Sequence, residues 1–120
     1  MSPHMTIYAP QLTWIMSIFF RMTGAGLATL IYGAGMTVAV LPTAMLDMNT
    51  LVPALYAACP APVILLGKAV LVMPFLFHTF NGLRHLAWDL GYCLSLDGVY
   101  KSGHAVTIAT LASTLLFLIF

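Results

Sequence analysis

The sequence predicts an all-α fold, a three-span transmembrane helix bundle. Two observations carry that prediction. Of 120 residues, 62% are hydrophobic and only 6% are charged, and the mean hydropathy is +1.02. A soluble domain of this length needs far more polar surface. The apolar residues also gather in three long segments, separated by prolines and loops. A net charge of +1, with no basic patch or stripe, gives nucleic acid no footing.

The first segment, Met22 to Leu41, is 20 residues without a charge, about what is needed to cross ~30 Å of hydrocarbon. Its helix is expected to begin earlier, near Leu12, to carry Arg21 inside it and to stop at Pro42. The span is therefore placed at about 12–41. The stretch before it is polar and proline-bearing and is not a signal peptide. Either a presequence has been removed or none was needed. The second span is placed at about 61–90, starting after Pro60, because prolines suit a first helical turn. Pro74 is expected to kink it. Lys68 lies near its start, where it can snorkel. The third span is placed at about 103–120. The connection from Pro42 to Ala61 has room for a short interfacial helix, and Gly91 to Gly103 reads as a polar loop carrying Asp97 and Lys101. Three spans put the N-terminus and that second loop on one side. Arg21, Arg84 and Lys101 fall toward it and Lys68 falls away, which places it in the matrix or cytoplasm.

Ionisable groups inside hydrocarbon are costly, by at least ~2.5–3.5 kcal/mol on insertion scales, and usually face a bundle interior, cavity or cofactor. Thr13, Ser17 and Arg21 recur every four residues and share one helix face, which Gly24 continues. A hydroxyl and a guanidinium there suit the carbonyl of a lipid-soluble ligand. Spacing alone leaves a second reading open, in which Arg21 snorkels and Ser17 bonds back to its own helix. His78, Asn81, Gly82, His85 and Asp89 form a stripe on the second helix. A neutral imidazole among Phe77 and Phe80 suits axial ligation of haem iron, and Gly82 would let a flat group approach. Arg84 and His85 lie nearer the helix end, where they could meet propionates. The other reading is a histidine bonded to a neighbouring helix and an arginine at a lipid headgroup. Only one histidine lies deep, so a six-coordinate haem needs its second ligand from another polypeptide. His4 and His104 sit at segment edges and read as interfacial. Cys59 and Cys93 form no CxxC pair or zinc spacing and read as free thiols. Three carboxylates, Asp47, Asp89 and Asp97, all lie near ends or loops, which argues against a transporter.

Three motifs, "SPHMTIYAPQLTW" (Ser2 to Trp14), "SIFFRMTG" (Ser17 to Gly24) and "HTFNGLRHLAWDLG" (His78 to Gly91), resemble the cytochrome b large membrane-anchor subunit of succinate dehydrogenase, respiratory complex II. The resemblance covers nearly the whole chain. It implies one subunit of a multi-subunit anchor, working with a small anchor subunit, a flavoprotein that oxidises succinate at FAD, and an iron–sulfur subunit that passes electrons to ubiquinone. It assigns Ser17 and Arg21 to the quinone pocket and His78 to haem b as axial ligand, the other ligand coming from the small anchor. Arg84, His85 and Arg21 would lie near the propionates. It places the chain in the mitochondrial inner membrane with its N-terminus on the matrix side, or in a bacterial inner membrane. The chain alone would not oxidise succinate. One departure stands out. The family commonly has histidine after Ser-x-x, and here the residue is Phe20, which cannot supply a polar contact. That favours one alternative, a haem-less structural anchor. A quinol:fumarate reductase anchor is the other.

Overall fold

A computed structural model describes residues 4–41 and 47–119, which carry four α-helices and no strand. Helix α1 spans Leu12–Val40, α2 Met48–Ala58, α3 Ala61–Asp89 and α4 Leu96–Ile119. Three of them, α1, α3 and α4, are long and apolar enough to cross a membrane. The two 29-residue helices run to about 44 Å at 1.5 Å per residue, so they exceed the hydrocarbon core and must tilt or project. The Trp14 indole donates to the Ala9 carbonyl (3.0 Å), tying the entering chain to the start of α1. Helix α1 ends at Val40, with Leu41 as its cap. Pro42, the expected stop, lies outside the described residues.

The short helix expected in the first connection is α2. Asp47 caps it by accepting from the Asn49 amide (3.0 Å). Pro60 precedes α3, which then runs unbroken through Pro74. Helix α3 stops in a Schellman turn: Tyr92 N–H reaches Ala87 O and Gly91 N–H reaches Trp88 O, both at 2.9 Å. That turn requires a left-handed residue, and Gly91 supplies it at φ 85°.

The second connection corrects the expected boundaries. Helix α4 starts at Leu96, so Asp97 and Lys101 are helical rather than part of a polar loop. Ser95 Oγ accepts from the Gly98 amide (3.1 Å), capping the first turn. Asp97 then sits where the helix dipole favours an anion. It pairs with Lys101 one turn on, at 2.6 Å, with both side chains exposed.

Helices α3 and α4 make the most extensive contact, and α1 packs across both. The C-terminal end of α3 meets the N-terminal ends of α1 and α4, an up-down-up arrangement. The face α4 turns inward is a stripe of Gly103, Val106, Thr110 and Thr114, small residues that let backbones approach in lipid. Thr110 and Thr114 each satisfy their hydroxyl on the carbonyl four residues back, so they pack as methyl groups. The chain is turned inside out relative to a soluble protein. Leu, Ile, Phe and Met cover the outside, while Asn81 and Arg84 lie in the middle at 1% and 7% exposure.

Candidate functional site

Helices α1 and α3 cross where Gly24 faces His78. A Cβ built on Gly24 would lie 2.6 Å from the imidazole Cε1, so only glycine lets the ring rest against the α1 backbone. The His78 Nδ1 lies 3.2 Å from the Phe20 carbonyl and 3.4 Å from Thr23 Oγ1. A carbonyl only accepts, so a hydrogen bond here calls for the proton on Nδ1, which in the neutral ring leaves Nε2 its lone pair. Nε2 has no hydrogen-bond partner among the described residues. The room that the sequence puts beside Gly24 is thus taken by His78, while the space beside Gly82 is open.

An aromatic column extends from this contact toward the end of α3. The Phe20 ring stacks on His78 (centroids 4.4 Å apart, planes 11° apart) and on His85 (4.8 Å, 17°). His85 meets Trp88 edge-on at 4.9 Å. His78 and His85 are seven residues apart, two turns of one helix face, and the Phe20 ring lies against both.

Arg84 lies beside this column and faces the other way. Its Nε donates to Ser102 Oγ (2.9 Å), one terminal nitrogen to Val99 O (2.8 Å), and the other to Asn81 Oδ1 (3.2 Å) and weakly to Met16 Sδ (3.6 Å). Its Cζ sits 4.2 Å from the Trp88 ring centroid. Arg84, at 7% exposure, therefore does not snorkel to a headgroup. It pins the last turns of α3 to the first turns of α4 and to α1. Gly103 makes the room, since a Cβ there would lie 3.0 Å from Leu12 Cδ2, 3.1 Å from Met16 Sδ and 3.4 Å from an Arg84 terminal nitrogen. The Asn81 amide nitrogen and the Trp88 indole nitrogen are buried without a partner among the described residues.

Ser17 and Arg21 stand apart from that bonding. Threonines 23, 29 and 37 of α1 all bond back to their own helix. Ser17 does not: its half-buried hydroxyl has no partner among the described residues, which removes the expected alternative of a back-bonded serine. Arg21 is exposed, with neither hydrogen bond nor ion pair there. Ser17 lies about 4.5 Å below Phe20 along the helix axis and within ~20° of Gly24 around it. A cleft of about 660 Å³ opens on a different flank, between α1, α3 and α4, lined by Phe19, Thr23, Pro74, Phe77 and Thr110 among others. Its threonine hydroxyls are already bonded within their own helices, so it offers only hydrocarbon. Neither Ser17, Arg21 nor His78 lines it.

The geometry provides one imidazole with a favoured tautomer and an open lone pair. Among the described residues no group of three or more His, Cys, Asp or Glu could hold a bare metal ion. A single nitrogen in an apolar setting suits a metal whose remaining ligands come from a macrocycle and a partner. Sequence reasoning missed Thr23, Trp88 and Ser102. Thr23 was legible in principle: three residues beyond Phe20 and one before Gly24, it lies on the flank that meets α3.

Residues 1–117 match the family model described as the succinate dehydrogenase/fumarate reductase transmembrane subunit. The chain is 43% identical over 106 residues to the mitochondrial succinate dehydrogenase cytochrome B subunit of Schizosaccharomyces pombe, covering 88% of this chain and 59% of that protein. It is 39% identical over 116 residues to the mitochondrial succinate dehydrogenase cytochrome b560 subunit of Homo sapiens, covering 96% and 67%. The succinate dehydrogenase cytochrome b556 subunit of Rickettsia conorii is 34% identical over 115 residues, covering 96% and 86%. The chain spans about three-fifths to two-thirds of the two mitochondrial relatives' length. The match runs through all three long helices and every residue of the His78 contact, so the chain belongs to the succinate dehydrogenase/fumarate reductase transmembrane subunit family.

Proposed function

We propose that this chain is a membrane-anchor subunit of succinate:ubiquinone oxidoreductase, giving haem b one axial ligand and ubiquinone part of its pocket. The observation that carries the haem reading is His78. Its Nδ1–H is held by the Phe20 carbonyl, which orients the ring, raises the basicity of Nε2 and leaves Nε2 free for iron. When bound, haem b supplies a one-electron redox centre within the membrane. The other axial ligand comes from the small anchor subunit. His85, stacked on Phe20, and Arg21 are the groups of this chain nearest to propionate duty. Arg84, the third group of the propionate reading, also donates to Ser102 and Val99 of α4.

The quinone reading rests on Ser17 and Arg21, a hydroxyl and a guanidinium one turn apart without partners of their own. Ubiquinone reduction takes two electrons and two protons. The Arg21 cation favours negative charge developing on a ring oxygen, and the Ser17 hydroxyl orients one of them. The flavoprotein with its FAD and the iron–sulfur subunit would bring electrons to this end. It would then lie on the matrix side of the mitochondrial inner membrane, with the N-terminus. A quinol:fumarate reductase would use the same groups in reverse.

The test uses the assembled complex. Ser17→Ala and Arg21→Ala should each lower quinone reduction while succinate oxidation by an artificial dye stays largely intact. Equal loss of both activities would sink the assignment and point to misassembly. A succinate-reduced minus oxidised spectrum tests the haem. One observation favours a second reading, a haem-less anchor: the Phe20 ring fills the space between His78 and His85. Flavin bleaching without a b-type band would establish it and leave the quinone role standing.

A further inference from the structure

We infer that Thr23 is a positioning residue for His78, which with the Phe20 carbonyl holds the imidazole in the Nδ1–H tautomer and so leaves Nε2 its lone pair. The inference rests on the haem reading for its purpose, but its geometry is independent of it. The Thr23 hydroxyl proton is already used on α1 carbonyls, Phe19 O at 2.8 Å and Phe20 O at 3.0 Å. Its oxygen therefore faces His78 Nδ1 only as an acceptor, at 3.4 Å. Phe20 O, at 3.2 Å, is also only an acceptor. Two acceptors converge on one ring nitrogen and no donor does. With the hydroxyl proton on the backbone, this geometry favours the neutral ring with its proton on Nδ1.

Gly24 completes the arrangement. Its missing side chain lets the ring come close enough to reach both acceptors. The three residues lie within about one turn of α1: a carbonyl at position 20, a hydroxyl at 23, a gap at 24. The same hydroxyl is unnecessary to the helix itself, because a threonine that bonds back to its own backbone adds little there. That is the position of Thr29, which makes the same back-bond at an exposed site with no imidazole near it.

Thr23→Val keeps the shape and removes the acceptor; Thr23→Ser keeps the acceptor; Thr29→Val is the control. The first readout is the nitrogen-15 spectrum of the full chain in lipid bilayers with labelled histidine, the His78 signals identified by their loss in His78→Gln. Wild type and Thr23→Ser should show Nδ1 protonated. Thr23→Val should show a raised fraction of the Nε2–H form. The second readout is haem in the assembled complex, by its reduction potential and by its rate of transfer to a competing apo-haem protein. Loss of a partner to a ligating histidine typically costs about 10–100-fold in affinity. Because the Phe20 carbonyl remains, Thr23→Val should sit near the tenfold end, with an upward shift in potential, and Thr23→Ser should restore both. A wild-type His78 found in the Nε2–H form, or a Thr23→Val chain indistinguishable from wild type in the nitrogen spectrum, overturns the inference while a b-type band still upholds the haem reading. A wild-type complex without that band, but with a Thr23-dependent tautomer, sinks the haem reading and leaves the inference standing.

Discussion

The two ends of this bundle are built differently. At one end, the start of α1, the last turns of α3 and the start of α4 hold Met16, Asn81, Arg84 and Gly103, all buried, and the aromatic column of His78, Phe20, His85 and Trp88. At the other end, every residue of α1 from Ala28 to Val40 is exposed, and α2 buries nothing. Exposed apolar side chains cover the outside at both ends. The difference shows that apolar side chains do not hold these helices together, since lipid solvates a leucine as well as another leucine does. Contact forms where small residues let backbones approach or a polar group needs a partner. The polar end is therefore both where the fold is fixed and where chemistry is available.

The sharpest way to break that contrast is at Arg84. Arg84→Met keeps the length and removes every donor. It strands Asn81, whose side chain is 1% exposed and whose only bonded atom is the oxygen that Arg84 contacts. An orphaned buried carboxamide costs about 1–3 kcal/mol, and bonds to a charged group are worth about 1.5–3 each. The expected loss is ~3 kcal/mol, read as a fall in the thermal midpoint of the chain in mild detergent. Adding Asn81→Leu should recover part of it, because the stranded group is then gone. If the double variant is no better than the single one, the node is not held by satisfaction of Asn81.

Gly24→Ala should come next. The new Cβ, 2.6 Å from His78 Cε1, cannot fit without moving the ring or parting α1 from α3. Overpacking of this kind costs about 1–3 kcal/mol, offset by the ~1 kcal/mol that alanine gains over glycine in a helix. The distinguishing readout is local: the His78 signal should shift even where the net stability hardly changes. Gly103→Ala should be milder still, within about 1 kcal/mol, since the atoms it meets first are the ends of Leu12 and Met16, which can swing aside. A large loss there would mean that Arg84, 3.4 Å away, cannot adjust.

How much of this was legible in the sequence follows the same division. The three spans and the all-α class were, because length and hydropathy decide them. The start of α4 was misplaced, because Asp97 and Lys101 read as loop charges. Ser95 as a cap, Asp97 in a first turn and Lys101 four residues on were the helix signals, and they outweigh polarity at a membrane surface. At the site, spacing put Ser17 and Arg21 on one face and His78 deep in its helix, but left their roles open, and only the resemblance assigned them. Arg84 was read toward propionates or a headgroup, and its bonds to α4 were not foreseen, because a sequence gives no way to know that Gly103 opens a pocket for it from a helix expected to start only there. Phe20 was read as a missing contact. Its ring is instead a stacking partner for two histidines, a relation between helices that no local pattern encodes.

The smallest expected effect tests the apolar end. Ile31 is 71% exposed on α1, where nothing in this chain touches it closely enough to bury it. Ile31→Ala removes hydrocarbon from a surface that lipid refills, so the chain alone should change by no more than about 0.5 kcal/mol. The same change in the assembled complex asks a further question. If the small anchor subunit packs on this face, the variant loses van der Waals contact, and the complex should come apart at lower temperature while the free chain does not. An Ile31→Ala chain destabilised on its own as much as Gly24→Ala would mean that apolar contact does hold α1 in place, and the contrast between the two ends would fail.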